Sequence, residues 1–225
     1  MKIALLGYGK MGRYIEKLAV EAGDEIVLRI DENNRGDLQS DDLKVADVAI
    51  DFSRPDAATA NIRLCLAAGI PVVTGTTGWL HELPTIKEEV ARAEGALFWA
   101  SNFSIGVNVF FAAARDLSRR LKDAAYVVSI SETHHTEKLD APSGTAITLA
   151  EGVEEELRQK VDIQSFREPD VPGTHLLRFS SDIDTIELTH TAHSREGFAR
   201  GALTAARWVQ GRKGVFTMTD LLAAE

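Results

Sequence analysis

The chain has 225 residues, 44% of them hydrophobic and 26% charged, as in a globular protein that buries one large or two small cores. A formal net charge of −9 argues against general nucleic-acid binding, which needs a basic surface. Its single cysteine, Cys65, excludes an internal disulfide and stands in an apolar, helix-like run that predicts a buried thiol. Neither a signal-peptide pattern nor an apolar run of membrane-spanning length is visible. We therefore expect a soluble cytoplasmic protein that binds neither nucleic acid nor membranes.

The first hundred residues alternate short apolar runs with helical patterns. Strands are predicted over 2–7, 25–30, 45–52, 70–74 and 96–100, and helices over 11–22, 55–68 and 84–93. Pro55 and Pro84 suit a first helical turn, whereas Gly23, Gly69 and Gly95 suit the position after a helix. Continuous apolar strands between helices are typical of a parallel sheet covered on both faces. Because crossovers are right-handed, these elements predict a doubly wound, Rossmann-like α/β fold.

The turn after the first predicted strand reads Gly7-Tyr8-Gly9-Lys10-Met11-Gly12, a G-x-G-x-x-G pattern. In dinucleotide-binding folds these glycines form the tight turn, admit the pyrophosphate and let helix and strand pack closely. Asp31 ends the second strand, where a carboxylate binds the cofactor ribose and repels a 2′-phosphate. Arg35 lies close enough in sequence to pair with such a phosphate, and the alternative is a solvated loop charge, so a preference for NADH over NADPH is a hypothesis. The alternative is an α/β turn that binds no nucleotide.

Two further segments follow the fourth and fifth predicted strands. They are Gly75-Thr76-Thr77-Gly78 and Ala100-Ser101-Asn102-Phe103. Ligands of doubly wound sheets bind outside the carboxyl ends of the strands, so both segments are candidate contacts of the nicotinamide and its ribose. Ordinary turn chemistry explains both segments equally well.

The pattern changes after residue 102. Helices are predicted over 107–121, 143–159 and 197–210, an apolar run covers 126–131, and residues 167–174 read as a Pro/Gly loop. Residues 185–191 alternate strictly between apolar and polar, which predicts a strand with one buried face. This half therefore predicts a mixed α+β layer.

Residues 132–145 read Glu-Thr-His-His-Thr-Glu-Lys-Leu-Asp-Ala-Pro-Ser-Gly-Thr. His134, His135 and Lys138 gather potential positive charge in front of a predicted helix start, whose first backbone N–H groups favour an anion. The segment thus predicts a carboxylate or phosphate site with titratable groups beside it. Three alternatives stay open: a polar surface loop, a solvated helix face that Pro142 argues against, and a metal site. The metal site lacks a third ligand beyond Glu132 or Glu137, so none is predicted.

With these segments the chain resembles the 4-hydroxy-tetrahydrodipicolinate reductase (dihydrodipicolinate reductase) family of bacterial lysine and diaminopimelate synthesis. The likeness covers nearly the whole chain, and its most specific part is the His-His-x-x-Lys-x-Asp-Ala-Pro-Ser-Gly-Thr-Ala segment. Its other parts are residues 7–12, 51–55, 75–78, 100–108 and 172–174 and the C-terminal helix. The chain is shorter than many members, and residues 176–184 lack their Gly-Glu-His run.

The resemblance implies a dinucleotide-binding Rossmann-like domain of residues 1–103 and 198–225. It also implies an inserted substrate-binding domain of residues 104–197, through whose sheet the protein forms a homotetramer. The implied reaction is NAD(P)H-dependent reduction of a small dianionic heterocycle, the dehydrated imine of 4-hydroxy-tetrahydrodipicolinate, to tetrahydrodipicolinate. Another imine or semialdehyde reductase, or a homologue that binds NAD(H) without turnover, is the alternative.

The resemblance also assigns residue roles. The catalytic pair of the family corresponds to His134 and Lys138, with His134 as the general acid or the residue that orients it. The substrate contacts of the family correspond to His135, Ser143, Gly144 and Thr145. The cofactor contacts are Gly7, Tyr8, Gly9, Lys10, Met11, Gly12, Asp31, Phe52, Gly75, Thr76, Thr77, Ala100, Ser101, Asn102 and Phe103. Arg195 falls where the chain returns to the first domain, and we expect it at a hinge that touches the cofactor, although a surface turn is the alternative.

Overall fold

The computed structural model describes residues 1–194 and 196–223, which belong to two units. The first unit contains Met1–Ser104 and the chain from Phe198 onward, and the second contains Ile105–Gly197. In chain order the strands are β1 (Lys2–Leu6), β2 (Glu25–Ile30), β3 (Val48–Asp51), β4 (Val72–Thr74), β5 (Ala96–Trp99), β6 (Val127–His134), β7 (Ile163–Arg167), β8 (Thr174–Ser180), β9 (Thr185–Thr191) and β10 (Gly214–Phe216). The α-helices are α1 (Lys10–Glu21), α2 (Ser40–Leu43), α3 (Pro55–Ala68), α4 (Leu83–Arg92), α5 (Ile105–Leu121), α6 (Gly144–Leu157), α7 (Glu196–Trp208) and α8 (Met218–Leu222).

The first unit is built on a parallel sheet with the strand order β10-β5-β4-β3-β1-β2. Alternate residues of β1 enter opposite cores: Ile3 and Leu5 pack with the buried faces of α1 and α7, and Ala4 and Leu6 with those of α3 and α4. The predicted Rossmann-like doubly wound sheet is thus confirmed. Strand order reverses between β1 and β3, and the segments after β1, β3, β4 and β5 leave the sheet at the carboxyl edge where such folds bind ligands.

Two local features of this unit differ from the sequence-based expectation. The left-handed residue after α4 is Glu94, with φ +49°, and not Gly95. Gly95 instead lies close to a neighbouring side chain, because a Cβ there would lie 2.5 Å from a methyl carbon of Leu66. Strand β3 starts at Val48 and not at residue 45, since α2 occupies the chain up to Leu43 and Val45 is exposed. Cys65 is fully buried, as predicted.

The second unit is a four-stranded mixed sheet packed on α5 and α6. Its strand order is β7-β6-β8-β9; β6 pairs in parallel with β7 and antiparallel with β8, and β9 pairs antiparallel with β8. Ile130, Leu177 and Phe179 turn into a core with apolar residues of both helices. The predicted α+β layer is confirmed, but the sequence patterns located neither β7 nor β8. Within the described chain, no helix is both long and apolar enough to cross a membrane.

Candidate active site

Strand β6 carries the first half of the histidine segment. Side chains of a strand alternate between its two faces, so residues two apart share a face. The buried face of this strand carries Ile130, Glu132 and His134, so that face changes from apolar to polar toward the end of the strand. His134 is 8% exposed, which rules out the surface-loop alternative for this residue. A buried histidine needs polar groups around it. These groups come from β6, the loop that follows it, β7 and β8.

Glu132 is the central acceptor of the site and is 1% exposed. Its Oε1 accepts hydrogen bonds from the backbone N–H of Ser143 at 3.1 Å and from the guanidinium of Arg167 at 3.3 and 3.4 Å. Its Oε2 lies 2.8 Å from Nδ1 of His134. The angle of that contact is poor for a hydrogen bond, but the distance allows the two atoms to share a proton. One buried carboxylate thus contacts the histidine with one oxygen and the start of α6 with the other.

His175 is a site residue that the sequence analysis did not identify. The antiparallel register of β6 and β8 places His175 opposite Glu132. Its Nε2 lies 3.2 Å from Oγ of Ser143 and 4.0 Å from Oε2 of Glu132, and its ring meets the edge of the His134 ring at a centroid distance of 5.1 Å. The sequence pattern that could have identified this strand is the alternation of His175, Leu177 and Phe179, whose side chains share the buried face. The preceding Pro/Gly loop hid the start of this strand.

The buried groups shift one another's pKa values. Burial acts to raise the pKa of Glu132, but hydrogen bonds from Ser143 and Ser165 and the nearby His134 outweigh it, so that the pKa is lowered. Burial lowers the pKa of His134, and Lys138 and Arg167 lower it further, against the opposing influence of Glu132. The glutamate is therefore ionised at neutral pH, and its negative charge is the influence that favours protonation of His134.

Lys138 lies in the loop between β6 and α6 and not on a helix face. Its Nζ donates to both carboxylate oxygens of Asp140, at 2.8 and 2.9 Å, and this lysine lowers the pKa of Asp140. Arg167 holds the loop from β7 through hydrogen bonds to the carbonyl oxygens of Lys138 and Asp140, at 3.3 and 2.7 Å. The backbone carbonyl of His135, a partly buried residue, accepts the backbone N–H of Lys138 at 3.1 Å. The structure thus brings His134 and Lys138 to one end of the sheet.

Helix α6 begins directly behind this loop. Ser143 is its N-cap, and Oγ of Ser143 accepts the backbone N–H of Ala146 at 3.2 Å. Gly144 and Thr145 are the first two helical residues, and the backbone N–H groups of a first helical turn point out of the start of the helix. The start of α6 is therefore an anion-binding end of a 14-residue helix, next to a lysine and two histidines.

Glu132, His134 and His175 also offer three potential metal-ligand atoms within 4.8 Å of one another. The prediction of no metal site relied on the lack of a third ligand, and the tertiary structure supplies one in His175. The guanidinium of Arg167 already binds the same carboxylate at 3.3 Å. Its fixed positive charge repels a divalent cation more strongly than a single proton, so the cluster is better suited to holding a proton.

The glycine turn of the first unit has the geometry of a pyrophosphate-binding turn. The N–H groups of Gly7 and Tyr8 donate to the carbonyl of Ile30, and a Cβ on Gly7, whose φ is +97°, would lie 2.2 Å from the carbonyl oxygen of Phe52. A Cβ on Gly12 would lie 2.4 Å from the carbonyl oxygen of Gly7. A Cβ on Gly9 would meet no described atom within 4 Å, so the space in front of α1 is open. These residues fit a dinucleotide with its pyrophosphate at the start of α1.

The residues after β2 are held by local hydrogen bonds. Asp31 accepts the backbone N–H of Asn33 at 2.8 Å through Oδ1, and its own N–H donates to Asn34 at 2.8 Å. Arg35 is partly buried, and its Nε donates to Oδ1 of Asn61 at 2.5 Å, so it is not a solvated loop charge. Asp31 thus directly follows Ile30, whose carbonyl binds the glycine turn, and its role as the ribose-binding carboxylate stays a prediction.

A buried hydrogen-bond network holds the segment after β4. Asp51, at the end of β3, accepts hydrogen bonds from Thr74, Thr76 and Asn61 at 2.7 to 2.8 Å. The hydroxyl of Thr76 therefore points into the protein, which leaves its exposed neighbour Thr77 to face a ligand. Gly75 is needed beside Phe52, since a Cβ there would lie 2.2 Å from its ring.

The segment after β5 has one exposed member. Ala100, Asn102 and Phe103 are buried and Ser101 is exposed. The ring of Phe103 packs 5.7 Å from that of Phe52, centroid to centroid. Tyr8 and Met11 are half-buried beside the glycine turn, and Lys10 is exposed at the first position of α1. The prediction for Arg195 lies outside the described residues.

Comparisons with known proteins agree on one family. The model of "Dihydrodipicolinate reductase, N-terminus" matches residues 1–103, and that of "Dihydrodipicolinate reductase, C-terminus" matches residues 106–222. A protein of Christiangramia forsetii named 4-hydroxy-tetrahydrodipicolinate reductase is 44% identical and covers 99% of this chain and 98% of its own length. A protein of Methanoregula boonei with the same name is 36% identical over 81% of this chain and 77% of its own length.

A solved structure confirms the fold. The dipicolinate-bound dihydrodipicolinate reductase from Paenisporosarcina sp. TG-14 superposes with a TM-score of 0.83 at 24% identity, over 96% of this chain and 97% of its own. The aspartate dehydrogenase from Thermotoga maritima reaches a TM-score of 0.53 at 16% identity, over 94% of this chain and 97% of its own.

Proposed function

The chain belongs to the dihydrodipicolinate reductase family, and we propose on that basis that it reduces 4-hydroxy-tetrahydrodipicolinate, through its dehydrated imine, to tetrahydrodipicolinate with NADH or NADPH. The observation that carries the proposal is the arrangement of His134 on the buried carboxylate of Glu132, beside Lys138 and the start of α6. This arrangement joins a proton donor to an anion-binding site, as reduction of a dicarboxylate imine requires.

His134 is the proposed general acid. Reduction of a conjugated imine builds negative charge on the nitrogen-bearing π system, and a positioned proton donor lowers the barrier. Burial keeps the pKa of His134 below its usual value in the free protein, and two carboxylates of a bound substrate would raise it again. Substrate binding would therefore help to protonate the residue that has to donate the proton.

Lys138 and the start of α6 are the proposed carboxylate-binding groups. The Lys138 side chain is 22% exposed, and its ammonium is paired with Asp140. A ligand carboxylate could bind this ammonium once the pair with Asp140 separates. The first-turn N–H groups at Gly144 and Thr145 and the helix dipole favour a second carboxylate. His135, half-buried in the same loop, completes the proposed substrate contacts together with Ser143. A dianionic substrate approaching a chain of net charge −9 needs such a local cationic site.

The first unit supplies the proposed cofactor site. When bound, the reduced nicotinamide would supply the hydride. The backbone at Gly9 would face the pyrophosphate, Asp31 would accept hydrogen bonds from the adenosine ribose, and Thr77 and Ser101 are the exposed hydroxyls after β4 and β5. The carboxylate of Asp31 supports a preference for NADH, because it would repel a 2′-phosphate. A Michaelis constant for NADPH far below that for NADH would contradict this preference.

We extend the proposal to assembly and location. The sheet of the second unit has its helices on one face, and the other face exposes Val127 and Phe166 by 75% and 48%, near opposite ends of β6, with the Arg178–Glu187 ion pair between them. An open sheet face with exposed apolar and charged groups is suited to pairing with a second copy, which supports the homotetramer that the family resemblance implies. A reductase that uses the cellular pool of reduced nicotinamide works where that pool is, which supports a cytoplasmic location.

The test is the loss of reduced-nicotinamide absorbance, with NADH and NADPH in parallel. Substrate is made fresh from pyruvate and aspartate semialdehyde by the preceding synthase. We expect oxidation that depends on this substrate and falls by about a hundredfold or more in His134→Gln and Lys138→Ala. His81→Gln and Lys87→Ala, which change exposed residues of the first unit, serve as controls with wild-type rates. Cofactor binding without oxidation would contradict the proposal.

No observation favours the alternative activities. A phosphorylating semialdehyde dehydrogenase needs a thiolate at an accessible turn, whereas burial raises the pKa of Cys65 well above its usual value. A homologue that binds the cofactor without turnover would retain the glycine turn but would not respond to substitution of His134.

A further inference from the structure

The two nitrogens of His134 have different surroundings. Nδ1 faces Oε2 of Glu132 at 2.8 Å, and that carboxylate is fixed through its other oxygen by Ser143 and Arg167. A carboxylate bonded by three donors on one side cannot turn away easily, so it offers the histidine a constant acceptor. Nδ1 is therefore the nitrogen that faces a fixed carboxylate of the protein, at ion-pair distance.

Nε2 faces a glycine. Gly173 precedes β8, and its carbonyl accepts the backbone N–H of Ala192 at 2.8 Å, which anchors the loop. A Cβ added to Gly173 would lie 2.9 Å from Nε2 and 3.1 Å from Cδ2 of His134. Real Cβ atoms do not approach so closely, so any side chain at this position would displace the imidazole or cover its Nε2. The glycine keeps the space at Nε2 open.

His175 borders the third side of the imidazole. Burial lowers the pKa of His175 to about 4, with His134 lowering it further and Glu132 opposing, so His175 is neutral at pH 7. A neutral ring packed edge-to-face against His134 restricts its rotation without repelling its protonated form. The contact with Ser143 ties His175 to the N-cap of α6.

We propose that Glu132, Gly173 and His175, the histidine pocket, select Nε2 of His134 as the proton-donating atom by holding Nδ1 against Glu132. The inference deepens the proposed reductase function and rests on it. In the step it describes, the imidazolium of His134 would transfer its Nε2 proton to the substrate, and a bound reduced nicotinamide would supply the hydride. The N–H bond electrons return to the ring, which becomes the neutral Nδ1–H form, and solvent later restores the proton. Glu132, Gly173 and His175 are positioning residues, since they act through His134.

Several charged and titratable groups decide the protonation of this histidine. They are Glu132 on β6, Lys138 and Asp140 in the following loop, Arg167 on β7 and His175 on β8, with His190 on β9 acting on His175. Among them Glu132 and Asp140 favour the imidazolium of His134, and Lys138 and Arg167 oppose it. Removing the charge of Glu132 therefore makes the imidazolium harder to form.

The first test determines which nitrogen carries the proton, without measuring activity. Full-length protein with ¹⁵N-labelled histidine is studied by two-bond ¹H–¹⁵N spectra at pH 8, and His134 is assigned from the signals lost in His134→Gln. We expect the Nδ1–H form, the less common tautomer of free histidine. An Nε2–H form would overturn the proposal. So would His134 signals that change on adding EDTA, because they would show a metal ligand and not a proton donor.

The second test separates positioning from structure. Gly173→Ala should lower kcat about tenfold or more and leave NADH affinity unchanged, whereas Gly23→Ala, which also has a positive φ but whose added Cβ meets no described atom within 4 Å, should leave both unchanged. Because the imidazolium is the donor, kcat/KM falls as pH rises through the pKa of His134. Glu132→Gln should move that fall to lower pH by about one unit, since the neutral amide no longer favours the charged ring. A wild-type rate for Gly173→Ala, or an unmoved profile for Glu132→Gln, would refute positioning.

The two proposals fail separately. A protein that shows the Nδ1–H form but oxidises no nicotinamide would contradict the reductase function and leave the pocket geometry intact. An active protein whose neutral His134 carries its proton on Nε2 at pH 8 would support the reductase function and contradict the proposed role of the histidine pocket.

Discussion

Lys138 binds Asp140, two residues further along the same loop, through both carboxylate oxygens at 2.8 and 2.9 Å. The Asp140 side chain is 59% exposed, so the pair contributes about 1 kcal/mol or less to stability. Its consequence lies in binding, because the ammonium that the substrate carboxylate needs already has an acidic partner. Asp140 therefore competes with the proposed substrate for Lys138.

Asp140→Asn tests this competition. We expect KM for the dicarboxylate substrate to fall about two- to fivefold, because an amide holds the ammonium less strongly. Asp182→Asn, which makes the same charge change on the exposed β8–β9 turn, should leave KM within error. Steady-state kinetics at low and high salt measure both variants. A higher KM for Asp140→Asn would instead identify Asp140 as the residue that positions Lys138.

The depressed pKa of His175 predicts a pH dependence of stability. A histidine whose pKa is about 4 in the folded protein, and about 6.5 in the unfolded chain, binds its proton more readily when unfolded. Its contribution to stability is therefore complete above pH 6.5 and is lost as the pH falls toward 4. The loss is on the order of 3 kcal/mol.

Urea unfolding between pH 7.5 and 4 measures this loss. His175→Gln should flatten the curve of unfolding free energy against pH over that window, whereas His81→Gln, at an exposed position, should leave its shape unchanged. His134 also has a lowered pKa and adds to the slope in the same direction, so the variant removes only part of it. A curve for His175→Gln as steep as that of the wild type would contradict a buried neutral His175.

Arg167 joins β7 to both parts of the site. It binds Glu132 through Nη1 and Nη2 and the loop carbonyls of Lys138 and Asp140 through Nε and Nη2. Arg167→Lys retains the charge but cannot make this planar set of hydrogen bonds. We expect a loss of about 1–3 kcal/mol in unfolding free energy and a fall in kcat/KM of about tenfold or more.

The matched control is Arg63→Lys. Arg63 pairs with two glutamates on the surface of the first unit, at 42% side-chain exposure, and the substitution should change stability by less than about 0.5 kcal/mol. Chemical unfolding and steady-state kinetics of both variants provide the comparison. Equal small effects in the two would mean that Arg167 is only a surface charge.

Substitutions of two glycines in the glycine turn should both weaken NADH binding, but only one should also lower stability. Gly9→Ala should fold normally, because its Cβ meets no described atom within 4 Å and its φ is −87°, but the methyl group would enter the proposed pyrophosphate space. Gly12→Ala should lose stability as well, because its Cβ would lie 2.4 Å from a backbone oxygen. NADH fluorescence titrations should show affinity reduced about tenfold or more in both.

Thermal melts distinguish the two variants. Only Gly12→Ala should melt at a lower temperature, and Gly36→Ala should match the wild type in both measurements. A Gly9→Ala protein with wild-type NADH affinity would show that the cofactor does not approach this turn. The Gly12→Ala result would then report only on packing between α1 and the turn.

The sequence by itself determined the features that depend on neighbouring residues. The G-x-G-x-x-G turn and Pro55 at the first position of α3 lie where the patterns predicted them, and α6 begins within one residue of its predicted start, because turns and helix starts are set by a few adjacent residues. Alternation of apolar strands with helices was likewise sufficient for the doubly wound sheet. The family resemblance added the roles of His134 and Lys138, which the local pattern alone left among several alternatives.

Only the tertiary structure decided what surrounds His134. Glu132 lies two residues away, yet its carboxylate became a buried partner only because β6 continues through residue 134 with that face inward. His175 and Arg167 are separated from His134 by 41 and 33 positions in the sequence and reach it through the registers of β8 and β7. Strand pairing brings together residues that share no local pattern, because backbone hydrogen bonds between strands, and not sequence spacing, set which side chains meet.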